Sequence, residues 1–539
     1  VQLGRDAAGE GRENGPIAGC LWFEATGHNV CDQSVGPGFK AYWQSHGLKQ
    51  SGLDTYRRSL ALFGLPLTAV REEQHTNGET LLTQWFERAR FEWHPGNPSE
   101  YRVQLGLLGA ELRAGPSQPP ASPSVFGVTI GNGFVGATVG RAVAARASWV
   151  RQGGVQWSAV EPTPGAREWS GIAGLEAELQ AIAAQGLTTI AVVQSTPAWA
   201  QQVSGHSCAA IKPEALDAFA SFMRDLVTRY SAAPYNIKYF EIWNEEDITP
   251  AQVDSASGFG CWGDAADPYF GGGAYAEMLK RVYPAIKQAN PSAQVLLGGL
   301  LLNCDADHPP TGQDCAESRF LEGVLRNGGG AAFDIVSYHG YAFWSGKNED
   351  WDLSPAWRPR GGAVLGKLQL IRETMARYQV DKPILLSEAG LLCYQSNPQC
   401  GPRFFSAQAS YLPRVYARAW ANRLLGAIWF TLEGPGWEKS GLLDENQQPR
   451  PAYQTLSFMA GLLQGASYDG PRSSGAIEGY AFRKGATRYE LYWVNDDSPA
   501  RMAWPAGTVA VYDLYGQPLP VTGVDLEVNF NPIFIEIRS

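Results

Sequence analysis

The chain has 539 residues, of which 44% are hydrophobic and 18% are charged, and its formal net charge is -10. This length and composition predict two or three globular domains with large buried cores. The acidic balance argues against a nucleic-acid or anionic-membrane partner. The sequence has no run of about 18 apolar residues, so no membrane span is predicted.

The region before residue 124 divides into three predicted parts. Residues 1–18 are predicted to be a disordered tail, and residues 19–115 an aromatic-rich accessory domain in which "LLTQWFERARFEWHP" forms a hairpin or short strands. The segment "FGLPL…NGETLLTQWFERARFEWHP" loosely resembles the LGFP-type repeats associated with cell envelopes, which implies envelope association; a plain packing domain is the alternative. The stretch "GPSQPPASPS" holds four prolines, so residues 116–123 are predicted to be a linker.

Short apolar runs alternate with amphipathic helical stretches between residues 124 and 462. Apolar runs separated by helices indicate parallel strands buried on both faces. Eight such units predict a (β/α)8 TIM barrel with long loops. An open doubly wound sheet is the alternative, but no G-x-G-x-x-G pattern follows the first strand. The runs lie at 124–132, near Trp149 to Arg151, and at 186–200, 237–247, 293–302, 333–341, 382–390 and 426–434.

The last segment, residues 463–539, has no helical periodicity. The stretches "GYAFRKGATRYELYWVND" and "NPIFIEIRS" are typical of strands, with a turn at Lys484–Gly485. Short strands joined by turns predict a C-terminal β-sandwich packed on the barrel.

Eight cysteines lie in segments rich in Gly, Pro and Asn. The sequence does not fix their connectivity, and unpaired core thiols are one alternative. Paired cysteines predict a secreted or extracytoplasmic protein. The polar N-terminal stretch has no apolar signal core, as expected if a signal peptide was removed or never existed. The simplest pairing joins near neighbours: Cys20–Cys31, Cys208–Cys261, Cys304–Cys315 and Cys393–Cys400.

Catalytic side chains of a barrel are expected at the carboxyl ends of its strands. Strand four ends in Glu245 and strand seven in Glu388. Two carboxylates facing each other suit acetal hydrolysis, because a protonated one can donate to the departing oxygen while an ionised one attacks the sugar carbon. No CxxC, HExxH or EF-hand spacing occurs, so neither a metal nor another cofactor is predicted. The other candidates at strand ends are Arg151, Asn244, His339, Tyr341, Trp429 and Glu433.

The motifs "EIWNEED" and "ILLSEAG" at strands four and seven resemble those of clan A glycoside hydrolases. The chain is similar to families 5 and 39, the latter through "WVRQGGVQWSAVEPTPG", "STPAWA" and "EIWNEE". The resemblance spans about residues 124–462 and implies a retaining hydrolase of O-glycosidic bonds in a plant or microbial polysaccharide or oligosaccharide. Glu245 would be the general acid/base and Glu388 the nucleophile.

The same resemblance implies roles for the remaining candidates. Asn244 would bind the sugar 2-hydroxyl, Tyr341 would contact the nucleophile, and Trp429 would form the floor of the −1 subsite. Arg151 and His339 match the strand-two Arg and the strand-six His of family 5. That family usually has a His near strand three or four, where this chain has Gln194, Ser195 and Trp199. Tryptophans in the long loops are predicted to stack on sugar rings: Trp199, Trp262, Trp344, Trp351 and Trp357.

The stretch "YFEIWNEEDI" places four acids at the end of strand four. Regular alternation would point Glu241, Trp243 and Glu245 into the barrel, with Trp243 offering apolar surface beside the site. Glu241 is predicted to be a structural partner for a barrel Arg, and Glu246 with Asp247 to face solvent or a loop. Asn244 can reach the same sugar as Glu245 only if the backbone bulges there.

A non-catalytic carbohydrate-binding or cell-envelope protein on a barrel scaffold is the alternative function. The carboxylate pair argues against it. The sequence leaves both exo and endo action open.

Overall fold

A computed structural model describes residues 11–33, 37–49, 51–74, 80–106, 124–131, 137–254, 259–394 and 400–538. The chain divides into two compact units, residues 1–122 and 123–539. The predicted linker, residues 116–123, and the first ten residues of the predicted tail lie outside the described residues. In the rest of that tail, residues 11–18 form no helix or strand, and the Glu13 carboxylate accepts from the Asn29 backbone N–H at 2.6 Å.

The described part of the N-terminal unit consists of short strands and two α-helices around an aromatic core. Strands β1 (Leu21–Phe23) and β2 (His28–Val30) form a hairpin, followed by α1 (Phe39–Ser45) and α2 (Thr55–Phe63). An antiparallel sheet then follows in chain order: β3 (Arg71–Gln74), β4 (Thr80–Trp85), β5 (Arg90–Trp93) and β6 (Val103–Leu105). The predicted hairpin is β4–β5, and its aromatic side chains pack into the core with Phe39, Trp43 and Phe63.

Eight parallel strands close into a barrel in the second unit, which confirms the predicted TIM barrel. Helices cover the outside and side chains fill the inside, which explains why the strand residues are almost all buried. The strands are β7 (Phe126–Ile130), β8 (Trp149–Gln156), β9 (Thr188–Gln194), β10 (Tyr239–Asn244), β11 (Gln294–Leu300), β12 (Ile335–Phe343), β13 (Ile384–Leu392) and β14 (Ala427–Trp429).

The helices of this unit follow their strands. They are α3 (Ala137–Ala144), α4 (Trp157–Val160), α5 (Ala173–Ala184), α6 (Leu216–Ser231), α7 (Gly272–Ala289), α8 (Phe320–Arg326), α9 (Ala363–Arg377), α10 (Pro402–Ala421) and α11 (Pro451–Leu463). No helix among the described residues is both long and apolar enough to cross a membrane.

The barrel interior is layered from an apolar floor to a polar mouth. Trp149, Ile190 and Leu296 belong to a buried apolar cluster at the floor. Two residues further along β8, Arg151 replaces the apolar side chain, because alternate residues of a strand share one face. The polar side chains inside the barrel therefore lie closer to the carboxyl ends of the strands, which is where the active sites of barrels form.

The C-terminal segment forms two antiparallel sheets, as predicted. One has the order β15 (Ser467–Pro471), β16 (Ile477–Lys484), β17 (Thr487–Val494), β21 (Ile533–Arg538), β19 (Thr508–Tyr512); the other pairs β18 (Ala500–Ala503) with β20 (Asp525–Val528). The predicted turn joins β16 to β17, with Gly485 at φ 60° in the left-handed region that glycine adopts readily.

Two arginines of α10 tie these sheets to the barrel. Arg414 is fully buried, stacks over Phe530 at 4.1 Å and donates to the Phe530 carbonyl at 2.6 Å. Arg418 bridges Asp350 of the barrel and Glu478 of β16, both at 2.8 Å. The barrel and the C-terminal sheets therefore share a buried polar interface.

All four predicted disulfides form. The pairs are Cys20–Cys31, Cys208–Cys261, Cys304–Cys315 and Cys393–Cys400.

Candidate active site

Side chains from strands β8, β10, β12 and β13 converge on one cavity of about 430 Å³ at the carboxyl ends of the strands. The predicted residues that line it are Arg151, Asn244, Glu245, Tyr341 and Glu388, together with Gln194 at the end of β9. The other lining residues are Thr129, Ile130, Gly131, Gly153, Val192, Phe259, Phe430, Thr431 and Trp437.

Glu388 is surrounded by hydrogen-bond donors. Its Oε1 accepts from the Arg151 guanidinium and its Oε2 accepts from the Tyr341 hydroxyl. Burial, together with the charge of Glu388, raises the pKa of Tyr341 well above its usual value, so the phenol stays protonated and donates. A cation and a phenol therefore both donate to this one carboxylate, in charge-assisted hydrogen bonds.

Arg151 is itself held by three groups. Its Nε donates to Glu241 at 2.6 Å and its Nη2 donates to Asn244 Oδ1 at 2.7 Å, while Nη1 meets Glu388. Burial would lower the pKa of Arg151, but the charges of Glu241 and Glu388 raise it, so it remains a cation. Glu241 also accepts from Ser337 Oγ at 2.8 Å. The prediction that Glu241 is the structural partner of a barrel Arg is confirmed.

Glu245 has a different environment, although it is as deeply buried. Burial raises its pKa to about 7, against the opposing charges of Arg151 and Lys367. Lys367 Nζ donates to the backbone carbonyls of Leu301 and His339 rather than to this carboxyl group. Glu245 can therefore hold a proton near neutral pH.

His339 lies between the two carboxyl groups. Its Nδ1 is 2.7 Å from Glu245 Oε1 and 3.4 Å from Glu388 Oε2. Burial lowers the pKa of His339 to about 4, so the ring is neutral at neutral pH. One oxygen of Glu245, one nitrogen of His339 and one oxygen of Glu388 all lie within 4.8 Å of one another. The two acids therefore face each other across a short gap.

The glycine pair Gly298–Gly299 on β11 makes room for two of these side chains. A Cβ on Gly299 would overlap the His339 ring, and a Cβ on Gly298 would overlap the Glu246 carboxylate. In the sequence these glycines appear only as part of an apolar strand. Only the structure shows that they leave space for the His339 and Glu246 side chains from the neighbouring strand ends.

The backbone is irregular immediately before both acids. On β10, Trp243 has φ 76° and Glu245 has φ 51°, which confirms the predicted irregularity around Asn244. On β13, Ser387 is skipped in the pairing with β12, where Tyr338 pairs with Leu386 and His339 with Glu388. Such bulges re-aim side chains at the rim of a barrel.

This irregularity corrects the prediction that Trp243 offers its surface to the site. Trp243 does not face the site; its ring packs on Phe219 and Trp262 outside the barrel. For Glu246 and Asp247 the sequence predicts solvent or a loop: both are buried, so solvent is wrong, and Asp247 faces the loop after β11. The Asp247 carboxylate accepts from the backbone N–H groups of two β11 loop residues at 2.8 Å each, and Glu246 occupies the space left by Gly298.

Several residues predicted to contact or orient the substrate are not among those that line the cavity: His339, Trp429, Glu433, Trp199, Trp262, Trp344, Trp351 and Trp357. Trp429 is buried near Tyr411 of α10, and its indole N–H donates to the Ser440 carbonyl. Trp199 donates to the Glu161 carbonyl at 3.0 Å. Glu433 is buried and accepts from the Gly131 backbone N–H at 3.0 Å.

Besides the predicted Tyr341, three aromatic residues that the sequence did not single out line the cavity: Phe259, Phe430 and Trp437. Ile428 belongs to the barrel floor, so alternation points Phe430 inward and Trp429 outward. If the sequence had shown which side chains of β14 face into the barrel, it would therefore have identified Phe430. Trp437 lies in the Gly-rich loop after β14, where no periodicity marks it.

Glu245, His339 and Glu388 also offer donors close enough for a metal ion. However, the oxygens of Glu388 already accept from Arg151 and Tyr341. The positively charged Arg151 guanidinium next to Glu388 would repel a metal cation bound there. The donor set therefore fits acid–base and nucleophilic chemistry better than metal binding.

Comparison with known proteins gives likeness in structure but not in sequence. No family model and no curated protein matches the chain. A family 39 glycoside hydrolase from the gut symbiont Bacteroides cellulosilyticus WH2 aligns with TM-score 0.58 and 17% identity, covering 85% of this chain and 88% of that one. A conserved exported protein from Bacteroides fragilis aligns with TM-score 0.54 and 13% identity, covering 77% and 98%.

A family 30 subfamily 8 xylanase from Clostridium acetobutylicum aligns with TM-score 0.52 and 10% identity, covering 77% of this chain and 96% of that one. At these identities the likeness establishes the fold. The predicted resemblance to clan A glycoside hydrolases is confirmed at that level.

Proposed function

We propose that this protein is a retaining glycoside hydrolase that cleaves O-glycosidic bonds of a plant or microbial polysaccharide or oligosaccharide. One observation carries the proposal: two facing carboxyl groups with oxygens within 4.8 Å have opposite surroundings. Glu388 accepts from a cation and a phenol, whereas burial raises the pKa of Glu245 to about 7. A carboxyl group with a raised pKa suits the acid, and a facing carboxylate held by two donors suits the nucleophile.

The short gap supports retention. Retaining glycosidases hold their carboxyl groups about 5–5.5 Å apart, whereas inverting ones need about 6.5–9.5 Å to admit a water. In the first step the Glu388 carboxylate bonds to the anomeric carbon, the glycosidic C–O bond breaks, and the Glu245 proton passes to the leaving oxygen. In the second step Glu245 accepts a proton from water, whose oxygen bonds to the anomeric carbon and releases Glu388.

The remaining residues of the cavity would orient these groups. Arg151 and Tyr341 hold Glu388, His339 fixes the gap between the acids, and Asn244 reaches the sugar 2-hydroxyl. Phe430 and Trp437 replace Trp429 as the aromatic contacts of the sugar. We assign no sugar contact to Trp199 or Glu433. The four disulfides support an extracytoplasmic location.

The decisive experiment is to trap the covalent intermediate. The protein is incubated with activated 2-fluoroglycosides of several sugars, digested, and analysed by mass spectrometry. We expect the label on Glu388, and the sugar that labels narrows the substrate class. A label on any other residue contradicts the assignment.

A second measurement separates hydrolysis from mere binding. Wild type and Glu388→Ala are assayed on a panel of aryl β-glycosides. We expect hydrolysis by the wild type alone. Equal rates on every substrate would favour the non-catalytic carbohydrate-binding function.

A further inference from the structure

The loop tryptophans that the sequence predicts to stack on sugar rings are mostly buried in the protein. Trp262, Trp344, Trp351 and Trp357 are each at most 6% exposed, and Trp199 is only partly exposed. None of these side chains can offer a full ring face to a ligand. A sugar outside the cavity must therefore find its aromatic partners elsewhere.

Exposed aromatic rings do occur at the mouth of the barrel: Phe343 ends strand β12, Tyr394 follows strand β13, and Trp437 lies in the loop after β14. Phe343 is 36% exposed, Tyr394 is 55% exposed and Trp437 is 46% exposed. Large exposed aromatic rings beside a cavity are typical of ligand contact surfaces.

Phe343 continues the inner face of strand β12. His339, Tyr341 and Phe343 are spaced by two residues, so they point to the same side of the strand. His339 contacts both acids and Tyr341 contacts Glu388, which leaves Phe343 as the next side chain outward. It lies about 7 Å beyond Tyr341 at the usual rise of a strand.

Tyr394 completes a platform with Phe343. The two rings are stacked, with centroids 4.7 Å apart and planes 14° apart. Because Phe343 covers one face of Tyr394 and the tyrosine is still 55% exposed, its other face is open to solvent.

The platform is anchored beside the cavity. Cys393, adjacent to Tyr394, is disulfide-bonded to Cys400 and donates its backbone N–H to the Glu438 carbonyl at 2.9 Å. Trp437, the neighbour of Glu438, packs edge-to-face on Tyr341 at 5.6 Å. The backbone beside Tyr394 is thus tied to the loop that carries Trp437, whose ring packs on Tyr341 next to Glu388.

We propose that Phe343 and Tyr394 form a second sugar-binding platform, which takes a ring of an oligosaccharide or polysaccharide substrate outside the catalytic cavity. This inference rests on the proposed glycosidase function and makes it more specific, because a substrate of one sugar unit would not reach the platform. The apolar face of a sugar ring packs on the open face of Tyr394.

The test compares substrates of different length. Wild type, Tyr394→Ala and Tyr394→Phe are assayed on aryl β-monoglycosides and on β-linked xylose, glucose, mannose and galactose oligomers from disaccharide to hexasaccharide. We expect Tyr394→Ala to lower kcat/KM on the oligomers by about threefold to tenfold, the range typical of one aromatic contact. It should leave aryl monoglycosides unchanged, and Tyr394→Phe should behave as the wild type.

Tyr101→Ala is the matched control, since Tyr101 is 61% exposed and lies in the N-terminal unit. It should change neither class of substrate. If Tyr394→Ala has the same effect on monoglycosides and oligomers, or no effect, the platform is refuted while the glycosidase function stands.

If the wild type hydrolyses none of these substrates, the proposed function fails, and calorimetric binding of the same oligomers decides on the platform. Weaker binding to Tyr394→Ala than to the wild type would then support it. Equal binding, or none to either protein, would overturn it.

Discussion

The ends of strands β10 and β13 carry acids of similar burial, with Glu245 4% exposed and Glu388 6% exposed, yet their surroundings differ. Glu388 accepts from the Arg151 guanidinium and the Tyr341 hydroxyl. Glu245 lies within hydrogen-bond distance of the neutral His339 ring instead. The nearby Lys367 ammonium donates to backbone carbonyls and not to Glu245. The two acids thus differ in the donors that surround them rather than in their burial, and the proposed division into acid and nucleophile rests on that difference.

Replacing Glu245 should have the largest effect and should depend on the leaving group. In Glu245→Gln we expect kcat/KM to fall by about a hundredfold to ten-thousandfold on substrates with poor leaving groups, because the amide cannot donate a proton efficiently. Dinitrophenyl glycosides, which need no protonation, should lose far less in the first step. A loss that is the same for both substrates would show that Glu245 is not the acid.

Replacing Tyr341 tests the hydrogen-bond donors that surround Glu388. In Tyr341→Phe the Glu388 carboxylate loses one donor, and hydrogen bonds to charged groups are worth about 1.5–3 kcal/mol. We expect kcat/KM to fall by about tenfold to a hundredfold.

Tyr338→Phe is the matched control for that measurement. Tyr338 is on the same strand, but its hydroxyl donates to the Val364 carbonyl at 2.9 Å outside the site. This control should affect thermal stability more than catalysis. An equal loss of activity in both variants would argue against a special role for Tyr341.

The pH profile should report the raised pKa of Glu245. The acid must be protonated to donate, and its pKa is about 7. We therefore expect kcat/KM to fall above that pH, by about tenfold for each further unit. The alkaline fall should disappear in Glu245→Gln. A flat profile of the wild type from neutral to alkaline pH would contradict the assignment.

The smallest expected effect comes from Gly299→Ala, which alters the surroundings of Glu245 indirectly, through the His339 ring. The added methyl group would displace the His339 ring and weaken its contact with Glu245. We expect kcat to fall by about threefold to tenfold and the alkaline limb of the pH profile to shift. Gly174→Ala, in helix α5 with open space around it, should leave both unchanged. An unaltered profile in Gly299→Ala would show that His339 does not tune the acid.

The sequence predicts the barrel well because its strands are buried on both faces and each is followed by a helix. It also points to Glu245 and Glu388 as strand-end acids, and the structure brings these two side chains to one cavity; their catalytic roles stay a prediction. It fails on the direction of individual side chains. Regular alternation wrongly points Trp243 inward, because the left-handed residues next to Asn244 lie outside any regular pattern.

Burial of the loop residues was equally beyond the sequence. Glu246 and Asp247 are buried because Gly298 and the backbone N–H groups after β11 accommodate them, and these come from a distant part of the chain. The association of the N-terminal unit with a cell envelope stays a prediction.

The buried arginines of helix α10 have a consequence for truncation. Arg414 and Arg418 belong to the barrel by sequence, but they find part of their partners in Phe530 and Glu478 of the C-terminal sheets. A protein cut after α11 would leave these guanidinium groups without those acceptors, and a charge stripped of a buried partner destabilises a fold by about 3–5 kcal/mol. A minimal fragment that keeps the barrel folded must therefore retain the C-terminal sheets, even though no described residue of theirs lines the cavity.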